Sequence, residues 1–165
     1  MQKPISTDQT PENIQQILHL LAETPVQLEK LSQGLSEAQL HQPIAPGERS
    51  LHEILTHLIN CESRTFDAIT LALLLKEPSI TPLHPERDFG KLYQFERQPF
   101  PALLAYFNLR RAVLLPVLTT LTPNQWGRVI LQKGKKRQES VYWQVRGLAL
   151  HEQEHILDLK TKRNK

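Results

Sequence analysis

The sequence predicts an all-α protein, a four-helix bundle with one long crossover connection, and three observations support this fold class. Apolar residues recur at helical spacing through most of the chain. Most prolines and glycines fall between four such stretches. The stretch from Pro78 to Phe100 has few periodic apolar residues, so we expect a long surface connection there. At 165 residues, the chain fits a single domain, residues 1–165.

The first helix is predicted from its start signal and its apolar stripe. Thr10 is a typical N-cap, and Pro11 suits the first helical position. Pro25 predicts a kink or a break, after which the same rod continues to Gly34. A short helical turn, Ser36 to Leu40, is expected next.

The second and third helices have equally clear signals. Ser50 and Glu53 form a capping box, from which the second helix runs to about Lys76. The third helix spans roughly Pro101 to Leu121. Pro116 within it should bend the helix or leave one carbonyl unpaired.

The remaining elements are short, apart from the last helix. Thr122 to Trp126 repeats the capping pattern as a second helical turn. Val129 to Leu131, with Gly134 beyond, indicates a brief β-hairpin. The fourth long helix runs from about Ser140 to Lys160, which completes the bundle.

Composition narrows the expected location and partners. The single cysteine, Cys61, excludes an internal disulfide and fits a reducing cytoplasm. No secretory signal is evident, and the apolar stretch at 69–75 is far short of a membrane span. The net charge is +3, and basic residues gather at 133–137 and 160–165 instead of along one helix face. We therefore expect a cytoplasmic protein with neither a nucleic-acid nor a membrane partner.

A candidate metal site comes from three histidines. His151 and His155 are four residues apart, which places them about 40° apart on one helix face. Two such imidazoles can reach one divalent ion at about 2.0–2.1 Å. His57 lies beside the apolar face of the second helix, so three imidazoles could converge in one cleft. The alternative is a bundle whose histidines bind no metal.

Glu152 stands out because it falls near the centre of the apolar stripe of the last helix. An unpaired carboxylate would be costly there, so a partner is expected. It could orient a ligand imidazole or act as a general base, and we treat it as a candidate catalytic residue. A structural ion pair with Arg110 or Arg111 is the alternative that stays open.

The other histidines and the cysteine are interpreted as structural or surface residues. Cys61 lies one helical turn after His57 and could approach the site, but a buried, inert thiol is favoured over a ligand. Four histidines are expected at the surface: His19, His41, His52 and His84.

The string His151-Glu152-x-x-His155 also matches the zinc-peptidase helix, in which the glutamate activates the metal's water. A peptidase needs a substrate cleft, usually edged by a strand that aligns the peptide. The sequence predicts almost no strand, so a metallopeptidase is the less favoured interpretation.

With these residues in place, the chain resembles the DinB-like superfamily of metal-binding four-helix bundles. Leu35 to Leu40 is similar to the family's Gly-Leu-Ser-x-x-x-Leu turn. Pro46 to Leu58 is similar to its Pro-Gly-x-Trp-Ser-x-x-Glu-x-x-x-His-Leu block, and His151 to His155 to its closing His-x-x-x-His motif. Arg49 stands where the family usually has tryptophan, while the three histidines match.

The resemblance implies a mononuclear site on His57, His151 and His155, often with zinc or nickel, and a homodimer. Characterised relatives include thiol-dependent transferases and isomerases. Our leading hypothesis is thus a metal-dependent enzyme of the thiol S-transferase or hydrolase type. Its substrate would be a small molecule, with a low-molecular-weight thiol as a possible partner. The rival hypothesis is a non-catalytic module in which the ion joins the second helix to the fourth.

Overall fold

A computed structural model describes residues 5–136 and 138–163 and confirms the four-helix bundle. In chain order its elements are α1 (Pro11–Ser32), α2 (Glu37–Leu40), α3 (Leu51–Leu74), β1 (Ser79–Ile80), a π-helical turn (Pro85–Gly90), α4 (Lys91–Tyr93), a 3₁₀ turn (Phe95–Arg97), α5 (Phe100–Thr119), α6 (Pro123–Trp126), β2 (Val129–Gln132), β3 (Glu139–Ser140) and α7 (Val141–Arg163). The long helices α1, α3, α5 and α7 form the bundle.

The helices pack in a ring in which α1 and α3 each contact both α5 and α7. The bundle core consists of two apolar clusters, one towards each end. The order in which each helix passes through the two clusters shows that α3 and α5 run parallel. The crossover between them is long because the chain must return along the bundle before α5 begins.

The N-terminal caps that the sequence predicted for the helices are present. Ser50 accepts a hydrogen bond from the Glu53 backbone N–H, and the Glu53 carboxylate accepts from the Ser50 N–H, which completes the capping box. The same reciprocal bonds begin α2 at Ser36 and α6 at Thr122. These caps depend only on neighbouring residues, so the sequence was sufficient to predict them.

Helix α1 continues through Pro25 without a break, and the same rod reaches Ser32. Because proline has no N–H, the carbonyl of Leu21 loses its usual partner within the helix. Nη1 of Arg111, on α5, donates a hydrogen bond to this carbonyl at 2.6 Å. The neighbouring helix therefore supplies the donor that the proline removes.

The connection between α3 and α5 is more ordered than the surface loop that the sequence predicted. It contains β1, the π-helical turn, α4 and the 3₁₀ turn, and the π-helical turn packs against α3. Phe89 in this turn is buried. A single apolar anchor without periodicity gives no helix or strand pattern, so the sequence predicted the long connection but not the short elements within it.

The predicted hairpin before the last helix is present. β2 pairs with β3 in antiparallel fashion, with Ile130 opposite Glu139. In addition, β1 pairs with β2 in parallel, with Ser79 opposite Leu131. This small sheet therefore ties the start of the crossover to the segment that leads into α7.

Helix α5 is apolar on its outer side as well as towards the core. Of the helices in the described ranges, it has the length and composition to cross a membrane, with a mean hydropathy of 1.3 over an 18-residue window. It is also one of the four packed helices of the bundle and carries Arg110 and Arg111. Tyr106, Leu109, Val113 and Val117 lie exposed along it.

Candidate metal centre

The structure brings the three predicted histidines together between α3 and α7. The His57 ring centroid lies 5.0 Å from that of His151 and 4.9 Å from that of His155. The rings of His151 and His155 are 4.6 Å apart. Nε2 of His57 is 2.8 Å from Nε2 of His151. Two neighbouring helices therefore place the three imidazole rings in mutual contact.

The surroundings keep the two α7 imidazoles uncharged. Burial, and after it the neighbouring His151 and His57, lower the pKa of His155 to about 4. Burial and His57 likewise lower the pKa of His151. Near neutral pH both rings are therefore unprotonated, which is the form that binds a metal ion.

Glu86 is a member of the site that the sequence did not predict. Its carboxylate, at the start of the π-helical turn, accepts a hydrogen bond from Nδ1 of His57. Burial alone would raise the pKa of Glu86, but the hydrogen bond from His57 and the favourable electrostatics of that contact outweigh it, and the pKa is lowered. The other oxygen lies 3.7 Å from Nδ1 of His84. The hydrogen bond between Glu86 and Nδ1 of His57 is the usual way in which a carboxylate orients a metal-binding imidazole.

Cys61 lies against the same imidazoles. Its Sγ is 3.6 Å from Nε2 of His57 and 3.7 Å from Nε2 of His151. One donor atom from each of His57, Cys61 and His151 lies within 4.8 Å of the others. Burial, with Glu86 nearby, raises the pKa of the thiol to about 12. Cys61 was not predicted as a ligand, yet its sulfur lies against two of the imidazoles.

Glu152 is fully buried and forms an ion pair with Arg111. Nη1 and Nη2 of Arg111 donate to its two oxygens at 3.0 and 2.6 Å. Nη2 also donates to Glu62 at 2.7 Å, and Arg110 donates to the other oxygen of Glu62 at 3.1 Å. Burial raises the pKa of Glu152, and Arg111 opposes this rise. The structural ion pair that the sequence left open is thus the one observed.

A cavity of about 430 Å³ opens beside the imidazoles. His57, Cys61 and His151 line one side of it. Side chains from α3, the crossover, the sheet and α7 form the rest, among them Arg64, Glu86, Gln132, Trp143 and Gln144. Small-molecule sites have volumes of about 300–1,000 Å³, so this cavity has room for a ligand of that size.

The remaining histidines lie outside the cluster, and one prediction among them was wrong. His19, His41 and His84 are exposed, as expected. His52 was also expected at the surface, but it is 2% exposed. Its Nε2 lies 2.8 Å from the Gln98 carbonyl oxygen, and its ring stacks on His41. The crossover covers this position, which helical spacing within α3 could not show.

Comparison with known proteins identifies the family and the fold. A family model with the description "DinB superfamily" matches residues 20–159 of the chain. The chain belongs to the DinB superfamily. A search of curated proteins found no match to this superfamily member.

A similar solved structure is YfiT from Bacillus subtilis, with a TM-score of 0.82 and 19% sequence identity. The match covers 98% of this chain and 91% of YfiT. YfiT is described as "a probable metal-dependent hydrolase with an unusual four-helix bundle topology". At 19% sequence identity, the structural similarity shows that this DinB superfamily member has the same fold as YfiT.

The side chains present fit a transition-metal ion. Imidazole nitrogens suit zinc, nickel and copper, and a thiol adds a softer donor. The neutral state of His151 and His155 leaves lone pairs available for coordination. The carboxylate of Glu86, on the far side of His57, supplies the outer support that metal-binding imidazoles usually have.

Proposed function

We propose that this chain is a metal-dependent enzyme that acts on a small molecule. In this proposal His57, His151 and His155 hold one divalent ion, zinc or nickel. The observation that carries it is the mutual contact of the three imidazole rings, two of which, His57 and His151, line a cavity of about 430 Å³. A bound ion would supply Lewis-acid chemistry that lowers the pKa of a water or thiol nucleophile.

Each part of the site would have a defined task. Glu86 holds His57 through Nδ1, so that Nε2 faces the other imidazoles. Burial keeps His151 and His155 unprotonated near neutral pH. The cavity places a substrate next to the imidazoles and limits its size.

Hydrolysis is the reaction that we propose first. YfiT has the same fold and is described as a probable metal-dependent hydrolase. Transfer of a group to a low-molecular-weight thiol is the second candidate, because the cavity has room for a thiol beside a small substrate. The two reactions would share the metal centre and differ in the nucleophile.

Two other functions have less support. A metal ion that merely joins α3 to α7 would duplicate the ion pairs of Arg111, which already link Glu62 on α3 with Glu152 on α7. A peptidase of the His-Glu-x-x-His type would need Glu152 as a base. Both oxygens of Glu152 accept hydrogen bonds from Arg111, so we propose that this residue has a structural task instead.

Metal analysis tests the proposal. Protein purified without a histidine tag is expected to contain close to one zinc or nickel ion per chain by elemental analysis. His57→Ala should keep its helical circular dichroism spectrum and lose the stoichiometric metal, because one of three imidazole ligands is gone. His19→Ala, which changes an exposed histidine on α1, is the matched control. Full metal retention in His57→Ala would contradict the ligand assignment.

A further inference from the structure

Each of the two helices at the centre presents a pair of donor residues at the same spacing. His151 and His155 are four residues apart on α7, and His57 and Cys61 are four residues apart on α3. Residues at this spacing are neighbours on one helix face. The centre is therefore bounded by two facing pairs, with the thiol in the position of a fourth donor.

The distances around the thiol match those of a tetrahedral metal site. With metal–nitrogen bonds of about 2.0–2.1 Å and a metal–sulfur bond of about 2.3 Å, tetrahedral angles place sulfur and nitrogen about 3.6 Å apart. Sγ of Cys61 lies 3.6 Å from Nε2 of His57 and 3.7 Å from Nε2 of His151. The thiol is thus already at ligand distance from both nitrogens.

The two nitrogens need only a small adjustment. In the same tetrahedral geometry, two metal-bound nitrogens are about 3.3 Å apart. Nε2 of His57 and Nε2 of His151 are 2.8 Å apart. Separation of these two nitrogens by about half an ångström would bring them to that distance.

We propose that Cys61 is the fourth ligand, so that the ion is held by three imidazoles and one thiolate. This inference rests on the proposed metal site. On binding, a metal–sulfur bond forms, the S–H bond breaks, and the proton leaves to the solvent. The thiolate favours zinc over magnesium or manganese, because soft ligands select soft ions. It also fills the open coordination position, so a substrate must displace a ligand to reach the ion.

Cobalt(II) is a suitable probe because cobalt–thiolate bonds give a charge-transfer absorption band in the near ultraviolet, whereas cobalt–imidazole bonds do not. Cys61 is the only cysteine in the sequence, so any such band must come from it. Metal-free full-length protein would be titrated with cobalt(II), together with Cys61→Ala and Cys61→Ser. We expect one cobalt per wild-type chain with the band, and bound cobalt without the band in both variants.

The outcomes distinguish the assignment of Cys61 as a ligand from the existence of the metal site. One cobalt per wild-type chain without the charge-transfer band would overturn the assignment of Cys61 and leave the histidine site standing. The same band in Cys61→Ala would also overturn it. Failure of the wild-type protein to bind cobalt at all would overturn the proposed metal site itself. Because the wild-type spectrum decides the ligand, the test does not depend on the stability of either variant.

Discussion

Glu86 determines which nitrogen of His57 is available at the centre. Its carboxylate accepts a hydrogen bond from Nδ1, so the proton resides on that nitrogen and Nε2 keeps its lone pair. Nε2 is the atom that lies 2.8 Å from His151 and 3.6 Å from Cys61. A single carboxylate on the crossover thereby sets both the tautomer and the direction of a ligand on α3.

Loss of this carboxylate should weaken metal binding while the three imidazoles remain. We expect Glu86→Ala to reduce metal affinity about 10- to 100-fold, the usual effect of removing a carboxylate that orients a ligand. Competition with a chromophoric chelator measures it. Glu96→Ala, which removes an exposed carboxylate from the same connection, is the matched control. Equal affinities for the two variants would contradict this role of Glu86.

Helical spacing placed His57, His151 and His155 beside the apolar faces of two helices, and the family resemblance joined them as one set; the structure places their three rings in contact. It could not predict Glu86, which comes from a connection without periodic apolar residues. Glu152 is an intermediate case, since its place on an apolar stripe showed that it needed a partner. Which partner it has depends on how the four long helices pack together, because Arg111 of α5 reaches Glu152 of α7 across the bundle, and no local pattern contains that information.

At the scale of elements, the guanidinium of Arg111 connects all four long helices. It extends from α5 to the carbonyl of Leu21 on α1, to Glu62 on α3 and to Glu152 on α7. Glu62 follows His57 on α3 within two turns, and Glu152 directly follows His151 on α7. The ion pairs therefore fix the position of the two metal-site helices relative to each other.

Removal of the guanidinium should be strongly destabilising. Arg111→Met would leave two fully buried carboxylates without their main partner, and breaking a buried pair in this way costs about 3–5 kcal/mol of unfolding free energy. Arg110→Met is the matched control, because Arg110 is 20% exposed and its ion pair is with Glu62, which Arg111 also holds. Urea unfolding of the metal-free proteins, followed by circular dichroism, gives both values. Equal stability of the two variants would contradict the central place of Arg111.

The elements that were predicted well are those defined by local residues. Ser50 and Thr122 lie within three residues of the partners that complete their caps. The starts of α3 and α6 could therefore be predicted from the local sequence. The crossover was predicted less well, because its order depends on distant contacts. Phe89 is buried against α3, and β1 pairs with β2, which begins some fifty residues later.

At the scale of the whole molecule, the outer face of α5 is unusual. Leu109, Val113 and Val117 follow one another at intervals of four residues, and each is 40% or more exposed. They form a continuous apolar stripe along a helix that is apolar on its core side as well. A helix that is hydrophobic on all sides is normally covered on all sides.

We propose that a second copy of this chain covers the α5 stripe. Leu109→Lys should then shift the protein from dimer to monomer, because a charge would be buried in an apolar interface. Sedimentation equilibrium measures the mass in solution. Leu157→Lys, which changes an exposed leucine on α7, is the matched control and should remain dimeric. A monomeric wild-type protein, or a Leu109→Lys variant that stays dimeric, would contradict the proposal.

The pairing of Pro25 with Arg111 constrains the order in which these two residues can be acquired during evolution. The proline deprives the buried Leu21 carbonyl of a donor, and the arginine supplies one from another helix. A chain with the arginine and an ordinary residue at position 25 has no orphaned carbonyl, whereas a chain with the proline alone does. Along any line of descent, the route of lower cost therefore acquires Arg111 first and Pro25 afterwards, and loses them in the reverse order.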